Sequence, residues 1–282
     1  RLLCYGGFGV MPPSDEDEDE DEEGDGAAGG KAEGEGGTEE GGDAEAAEPR
    51  GPSVDMGWFG DVFELDVGTW RWRKLETQAS GPSPAARAAH ACCFFAPGGE
   101  QQAGRRGEHM LLFGGRTAAG RVNDTWVLDL DTKAWAAPSL AGCPPSARSF
   151  HSAVALTSRA GAPIAAVFGG LDAACTHLND LHLLDTRGWA WVRVRLLAAP
   201  SPRGCGTLCA VPSATGAAAD ILLFGGSCGW EAEAARATTF LGDTHRLPLG
   251  EVLDALDQSA AAAATTAAAT TAATTAIAAA TT

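Results

Sequence analysis

The 282-residue chain holds a single tyrosine, three methionines and only 7% aromatic residues. No apolar run in it approaches the roughly 18 residues that a membrane span needs, so a membrane partner is not expected. None of its eight cysteines stands in C-x-x-C spacing, which argues against a zinc site or a redox pair. Several lie in apolar strands, where a free thiol reads as a small buried hydrophobe. Scattered thiols without a framework point to a reducing compartment, cytoplasmic or nuclear. A basic bias is missing as well. The net charge is -17, but residues 14–49 carry seventeen of the 37 acids and one base, Lys31. The remainder is close to neutral, which removes nucleic acid from the expected partners.

What the chain does have is a repeat. Four times an apolar strand ends in a Gly-Gly pair: Gly6-Gly7, Gly114-Gly115, Gly169-Gly170 and Gly225-Gly226. Each pair is followed by an Asp (Asp61, Asp124, Asp180, Asp243). Three of these are followed five residues on by another (Asp66, Asp129, Asp185), and six residues later by Trp72, Trp135 or Trp191. A Pro-rich turn then leads into Arg87-Ala88-Ala89-His90, into Arg148-Ser149-Phe150-His151, or into the divergent Arg203-Gly204-Cys205-Gly206. Self-similarity with a period near fifty residues means repeated architecture. Four short strands per unit is the signature of a propeller blade.

These residues match the kelch repeat: an Arg-x-x-His strand, a Gly-Gly strand, an Asn-Asp strand and a Trp strand. The resemblance implies an all-β fold, a partial kelch β-propeller of about four blades in an open arc. On this reading residues 1–13 and 51–80 make a first partial blade, split by an acidic disordered insert at 14–50. Residues 81–138 and 139–196 make two whole blades, and 197–250 a fourth partial one. A low-complexity tail, rich in Ala and Thr, occupies 251–282, with Leu249–Leu256 amphipathic at its start. The chain begins inside a repeat with Arg1, so it reads as a fragment of a longer protein. The aromatic slot two residues after each Asn-Asp holds Phe63, Trp126, His182 and His245, and the two histidines there read as packing residues.

Loops joining the second and third strands emerge on the same face as the inter-blade loops. Arg116 and Arg121 lie in one such loop, and Ser149 follows an inter-blade loop. The three can converge on one rim. Two guanidiniums and a hydroxyl suit a carboxylate, because Arg offers paired donors matched to its two oxygens. On residue types alone the commoner reading is of solvated loop arginines. Phe8, and Trp58-Phe59 just before Asp61, could wall a pocket nearby. The acidic insert opens on the same face, as a solvated spacer or as a competitor for the two arginines.

The stretch resembles one kelch subgroup more closely: the substrate receptors of cullin-RING ubiquitin ligases that read C-terminal diglycine degrons. The matching runs are Arg87-Ala88-Ala89-His90-Ala91-Cys92, Phe113-Gly114-Gly115-Arg116 with Arg121 and Asn123-Asp124, Cys143-Pro144, and Arg148-Ser149 with His151. That resemblance implies a carboxylate-binding role for Arg116, Arg121 and Ser149, and pocket aromatics at Trp58 and Phe8. It implies C-terminal peptides of substrate proteins as ligands and elongin and cullin-RING subunits as further partners. The alternative is a generic kelch scaffold with a different partner. Kelch enzymes of the galactose-oxidase type need two Tyr and two His around copper, whereas Tyr5 stands alone here. The Glu-x3-Asp-x3-His pattern of the iron-dependent specifier propellers is absent. No catalytic residue, metal or cofactor is therefore expected.

Overall fold

The computed structural model describes residues 2–10, 56–96, 107–213, 219–229 and 238–263. The acidic segment read at 14–50 and the end of the Ala/Thr tail lie outside the described residues. The chain divides into two compact units, Arg1–Gly7 with Trp58–Thr282, and Phe8–Gly57.

Strands β1 (Leu2–Val10), β2 (Met56–Asp66) and β3 (Arg71–Lys74) form a sheet in that order. A second sheet runs β4 (Ala91–Phe95), β5 (His109–Thr117), β6 (Gly120–Asp129), β7 (Trp135–Ala136). The third contains β8 (Ala141–Gly142), β9 (Ser152–Thr157), β10 (Pro163–Leu171), β11 (His177–Asp185) and β12 (Ala190–Val194), in the order β8-β12-β11-β10-β9. Here the linker strand β8 adds parallel to the outer strand β12, an addition the repeat did not foretell. The fourth sheet is β13 (Thr207–Pro212), β14 (Ala219–Phe224) and β17 (Thr244–Leu247). A small hairpin, β15 (Ser227–Cys228) with β16 (Thr239–Phe240), follows Gly225-Gly226. The architecture is all-β, a partial propeller of four blades.

Each recurring position of the repeat has a physical role. The central strands β5 and β10 are covered on both faces by neighbouring blades. They therefore read as continuous apolar runs rather than alternating ones, and β10 is buried at every position. The second Asp of each unit closes a turn: Asp129 Oδ1 accepts from the N–H groups of Asp131 and Thr132 at 2.8 and 2.9 Å, an Asx-type turn. The Trp of each whole blade packs on the aromatic that precedes the previous blade's Gly-Gly. Trp135 meets Tyr5 and Trp191 meets Phe113, with centroids 5.3 and 5.0 Å apart. Trp72 and Phe224, at the two outermost positions of this series, are 54% and 56% exposed.

The joint between blades is built by the Arg of Arg-x-x-His. Arg148 donates from Nη1 and Nη2 to Asp180 at 2.7 and 2.9 Å, and from Nη1 to the Gly169 carbonyl at 3.0 Å. Arg87 holds Asp124 and the Gly114 carbonyl in the same way, and Arg203 holds Asp243 and the Gly225 carbonyl. All three guanidiniums are buried. The Arg backbone meanwhile plugs into the preceding blade: Gly115 N–H donates to Arg148 O at 2.8 Å, and Gly170 N–H to Arg203 O at 2.9 Å. This close approach requires glycine. A Cβ on Gly169, which sits at φ 65°, would lie 2.6 Å from Arg203 O.

Among the described residues the fourth blade has no Trp strand, and a helix, α1 (residues 250–263), follows β17. Leu249 and Leu253 are fully buried in one cluster with Phe168, Ile221 and Leu223. Asp257 fastens the helix to the third blade, accepting from Ser158 Oγ, Ala160 N–H and Arg187 Nη1 at 2.8, 2.9 and 2.8 Å. The first part of the segment read as a low-complexity tail is thus an ordered element whose apolar stripe is buried in the propeller core. No described helix is long and apolar enough to cross a membrane. All eight cysteines are free, but only Cys93 is buried. The expectation of buried thiols fails for Cys4, Cys143, Cys205 and Cys209, which are exposed, because they fall on loops, strand ends or uncovered strand faces.

Two outcomes follow from the joints. Gly169→Ala forces a Cβ into a carbonyl at positive φ, and should lower stability by about 2 kcal/mol or more, read as a drop in denaturant midpoint. Acid should act in two stages. Burial pushes the His151 imidazole down to about 3, with Arg148 adding to the effect, and burial pushes His90 down to about 4. A neutral buried His favours the native state fully above its ordinary value near 6.5, and that stability is lost as pH falls toward the folded value. Asp180 is held well below the carboxylate range. Burial opposes this, but hydrogen bonds from His182 and Arg148 outweigh it. Its contribution is therefore present above about pH 4 and lost below. Thermal melts should show stability falling from pH 6.5 to 4, with a slope reduced in His151→Gln, and a second fall below pH 4.

Candidate functional site

Arg116 and Arg121 face each other across the β5–β6 hairpin as register partners. The turn between them is closed by Thr117, whose Oγ1 donates to Gly120 O at 3.1 Å and accepts from Ala119 N–H at 3.2 Å. Arg116 is fixed by its backbone, which exchanges hydrogen bonds with Ala88 at 2.9 and 2.8 Å, and its side chain is exposed. Like charges directly opposite on paired strands repel. Among the described residues neither guanidinium meets a carboxylate, so the pair is a concentrated, uncompensated positive site.

Arg121 reaches across to the third blade. Its Nε donates to Ser149 Oγ at 2.7 Å, and its Nη2 to Cys175 Sγ at 3.5 Å. Ser149 is fully buried, with its backbone paired to Leu171. Its hydroxyl accepts from Arg121 and still has a proton to give. The sequence reading placed Arg116, Arg121 and Ser149 on one rim. The structure joins Arg121 to Ser149 directly and sets Arg116 opposite Arg121.

Two aromatics were expected beside this site. Trp58 is half-buried on β2. The carbonyl of the next residue, Phe59, accepts from Arg87 N–H at 3.1 Å, beside Ala88, whose backbone holds Arg116. Phe8 is exposed and opens the second compact unit, Phe8–Gly57, while the arginine site belongs entirely to the first. Two residues beside the site were not picked out from sequence. One is Cys175, in the β10–β11 loop. The other is Phe150, next to Ser149, held at φ 57° and 36% exposed. Phe150 belongs to a backbone chain along the inner rim: its N–H donates to Ala89 O and its carbonyl accepts from Cys205 N–H, both at 2.8 Å. The only signal that could have marked it is its place in the repeat, since the positive φ is invisible in a non-glycine residue.

The histidines in the aromatic slot are hydrogen-bonded to the joints. His182 Nε2 lies 3.0 Å from Asp180 Oδ2, its Nδ1 lies 3.2 Å from Cys143 O, and His245 Nε2 lies 2.7 Å from Asp243 Oδ2. Trp126 makes the same contact to Asp124 at 2.7 Å. In the second, third and fourth units the slot therefore supplies an N–H to the Asp, not packing alone. Among the described residues no cluster of three His, Cys, Asp or Glu side chains could hold a metal ion. A separate cleft elsewhere is lined by Leu3, Arg71, Trp72, Phe94 and Leu130. It is lined by residues of both the first and the second blade and shares no residue with the arginine site.

The sequence profile of the KLHDC2/KLHL20/DRC7 Kelch-repeats domain matches residues 60–252. Kelch domain-containing protein 1 of Mus musculus is 34% identical over 177 residues, 62% of this chain and 38% of that protein. Kelch domain-containing protein 2 of Bos taurus is 30% identical over 174 residues, 62% of this chain and 37% of that protein. Rab9 effector protein with kelch motifs of Rattus norvegicus is 30% identical over 148 residues, 51% of this chain and 36% of that protein. The chain spans less than two-fifths of the length of each. The joints, the repeat and this match agree: the chain belongs to the KLHDC2/KLHL20/DRC7 kelch-repeat family.

Proposed function

We propose that this kelch-repeat interaction module binds the C-terminal carboxylate of a partner protein, with Arg116 and Arg121 as the anion site. The observation that carries the reading is that Arg116 and Arg121 are register partners across one hairpin, with no carboxylate against either guanidinium among the described residues. A carboxylate between them relieves their repulsion and forms charge-assisted, paired hydrogen bonds. Capture of a terminal carboxylate is an established mode of peptide recognition. A Gly-ended peptide suits a site at a blade joint, because a residue without side chain lets the carboxylate reach the rim.

Ser149 lies beneath Arg121, so its first role in this reading is to hold that guanidinium. Trp58 is assigned to a flanking residue of the peptide. Delivery of the bound protein to a ubiquitin ligase is the finer part of the proposal, with elongin and cullin-RING subunits as partners. The helix α1 qualifies it: Leu249 and Leu253 are already buried in the propeller core. A ligase subunit would have to use another surface, or displace the helix.

The test is peptide binding to the full-length protein, read by fluorescence polarisation. A Gly-Gly-ended peptide should bind at least tenfold more tightly than its C-terminally amidated form. Arg116→Ala and Arg121→Ala should each weaken it by about ten- to a hundredfold, since a hydrogen bond to a charged group contributes about 1.5–3 kcal/mol. Equal binding of acid and amide would overturn the reading and favour a kelch scaffold with a different partner.

A further inference from the structure

We infer that Cys175 is a positioning residue of this anion site, fixing the edge of Arg121 that meets a ligand; the inference rests on the carboxylate reading of Arg116 and Arg121. The guanidinium has two edges able to donate in pairs. One is formed by Nε–H and one Nη2–H, the other by Nη1–H and the second Nη2–H. Ser149 Oγ accepts from Nε at 2.7 Å and Cys175 Sγ from Nη2 at 3.5 Å. Both acceptors belong to the third blade, and together they occupy the first edge. The end-on edge is left for a carboxylate. With Ser149 alone the plane of the group could swing about a single hydrogen bond. With a second acceptor its orientation is set.

The sulfur is itself held in place. Cys175 sits at φ 62° in the loop between β10 and β11. Its N–H donates to Asp172 O at 3.0 Å, and Asp172 N–H donates to Thr176 O at 3.1 Å. The Asp172 carboxylate accepts from the N–H groups of Ala174 and Thr176, both at 2.9 Å. The turn therefore fixes the thiol's direction, and Asp172's Oδ1 is engaged within that turn. A neutral, weak acceptor suits this role, because it orients Arg121 without neutralising it. An acid at this position would itself become the ligand of Arg121.

This predicts a graded series in the full-length protein. Cys175→Ser keeps an acceptor and should hold Gly-Gly-ended peptide affinity within about threefold. Cys175→Ala should lose about three- to tenfold, the effect of one modest hydrogen bond, and Cys175→Asp should lose more than either. A second readout needs no peptide. The Arg121 side chain lies against the Cys175 sulfur and shields it from a reagent. Iodoacetamide labelling at Cys175, followed by peptide mapping against the other cysteines, should quicken in Arg121→Ala and stay unchanged in Arg116→Ala. Unchanged labelling in Arg121→Ala, or equal affinity across the Cys175 series in a protein that binds the peptide, overturns the inference. Quickened labelling in Arg121→Ala of a protein that binds acid and amide equally supports the Arg121–Cys175 contact while the carboxylate reading falls.

Discussion

A buried guanidinium is costly to place in a protein interior unless every donor finds an acceptor. Here three of them are placed, one per joint, and the propeller is arranged around satisfying them. Arg87, Arg148 and Arg203 each take both oxygens of an Asp, a Gly-Gly carbonyl and a nearby backbone carbonyl. The carbonyl of Arg148 or Arg203, in turn, accepts from the preceding blade's second glycine. One residue thus ties the first, second and third strands of its own blade together and docks that blade on its neighbour. The glycines follow as a consequence. The first makes room for the next blade's Arg carbonyl, the second for its own blade's Arg-x-x-His segment: a Cβ on Gly115 would lie 2.9 Å from Ala88 O.

That chain of necessity is why the fold was legible in the sequence. Gly-Gly, Asn-Asp, Trp and Arg-x-x-His recur because each is one part of a joint whose other parts recur with it. What was not legible had no repeat to announce it. The helix α1 could be read as an amphipathic stretch, but not as part of the core, because its buried Leu253 belongs to no repeated position. Nor could β8 be foreseen, since a two-residue parallel addition leaves no periodic trace. The positive φ of Ala89, Phe150 and Cys205 is imposed by the inner-rim backbone chain, a tertiary constraint that overrides the local preference for glycine. The site was legible in its charges and not in its geometry. Two arginines five residues apart can point anywhere until a hairpin register sets them opposite. Cys175, in the next blade's loop and 54 residues beyond Arg121, carried no signal at all.

The joints also explain why the site lies where it does. Arg116 directly follows Gly115, and Ser149 directly follows Arg148, so these two are adjacent in the chain to residues the joint holds rigid. The same two positions exist in other units. After the second glycine stand Phe8, Arg116, Leu171 and Ser227, and after the Arg stand Ala88, Ser149 and Gly204. The backbone bridges Ala88 to Arg116, Ser149 to Leu171 and Gly204 to Ser227 identically. One scaffold therefore presents a row of equivalent slots on its rim. Charge enters that row at a single slot, Arg116, and the neighbouring hairpin strand supplies Arg121 opposite it. The adjacent slot, Ser149, offers the hydroxyl that holds Arg121. Because backbone geometry is shared along the row, any difference between its slots comes from their side chains and from the loops that reach over them, and an arginine moved to Leu171 would face His177 across its hairpin where Arg116 faces Arg121.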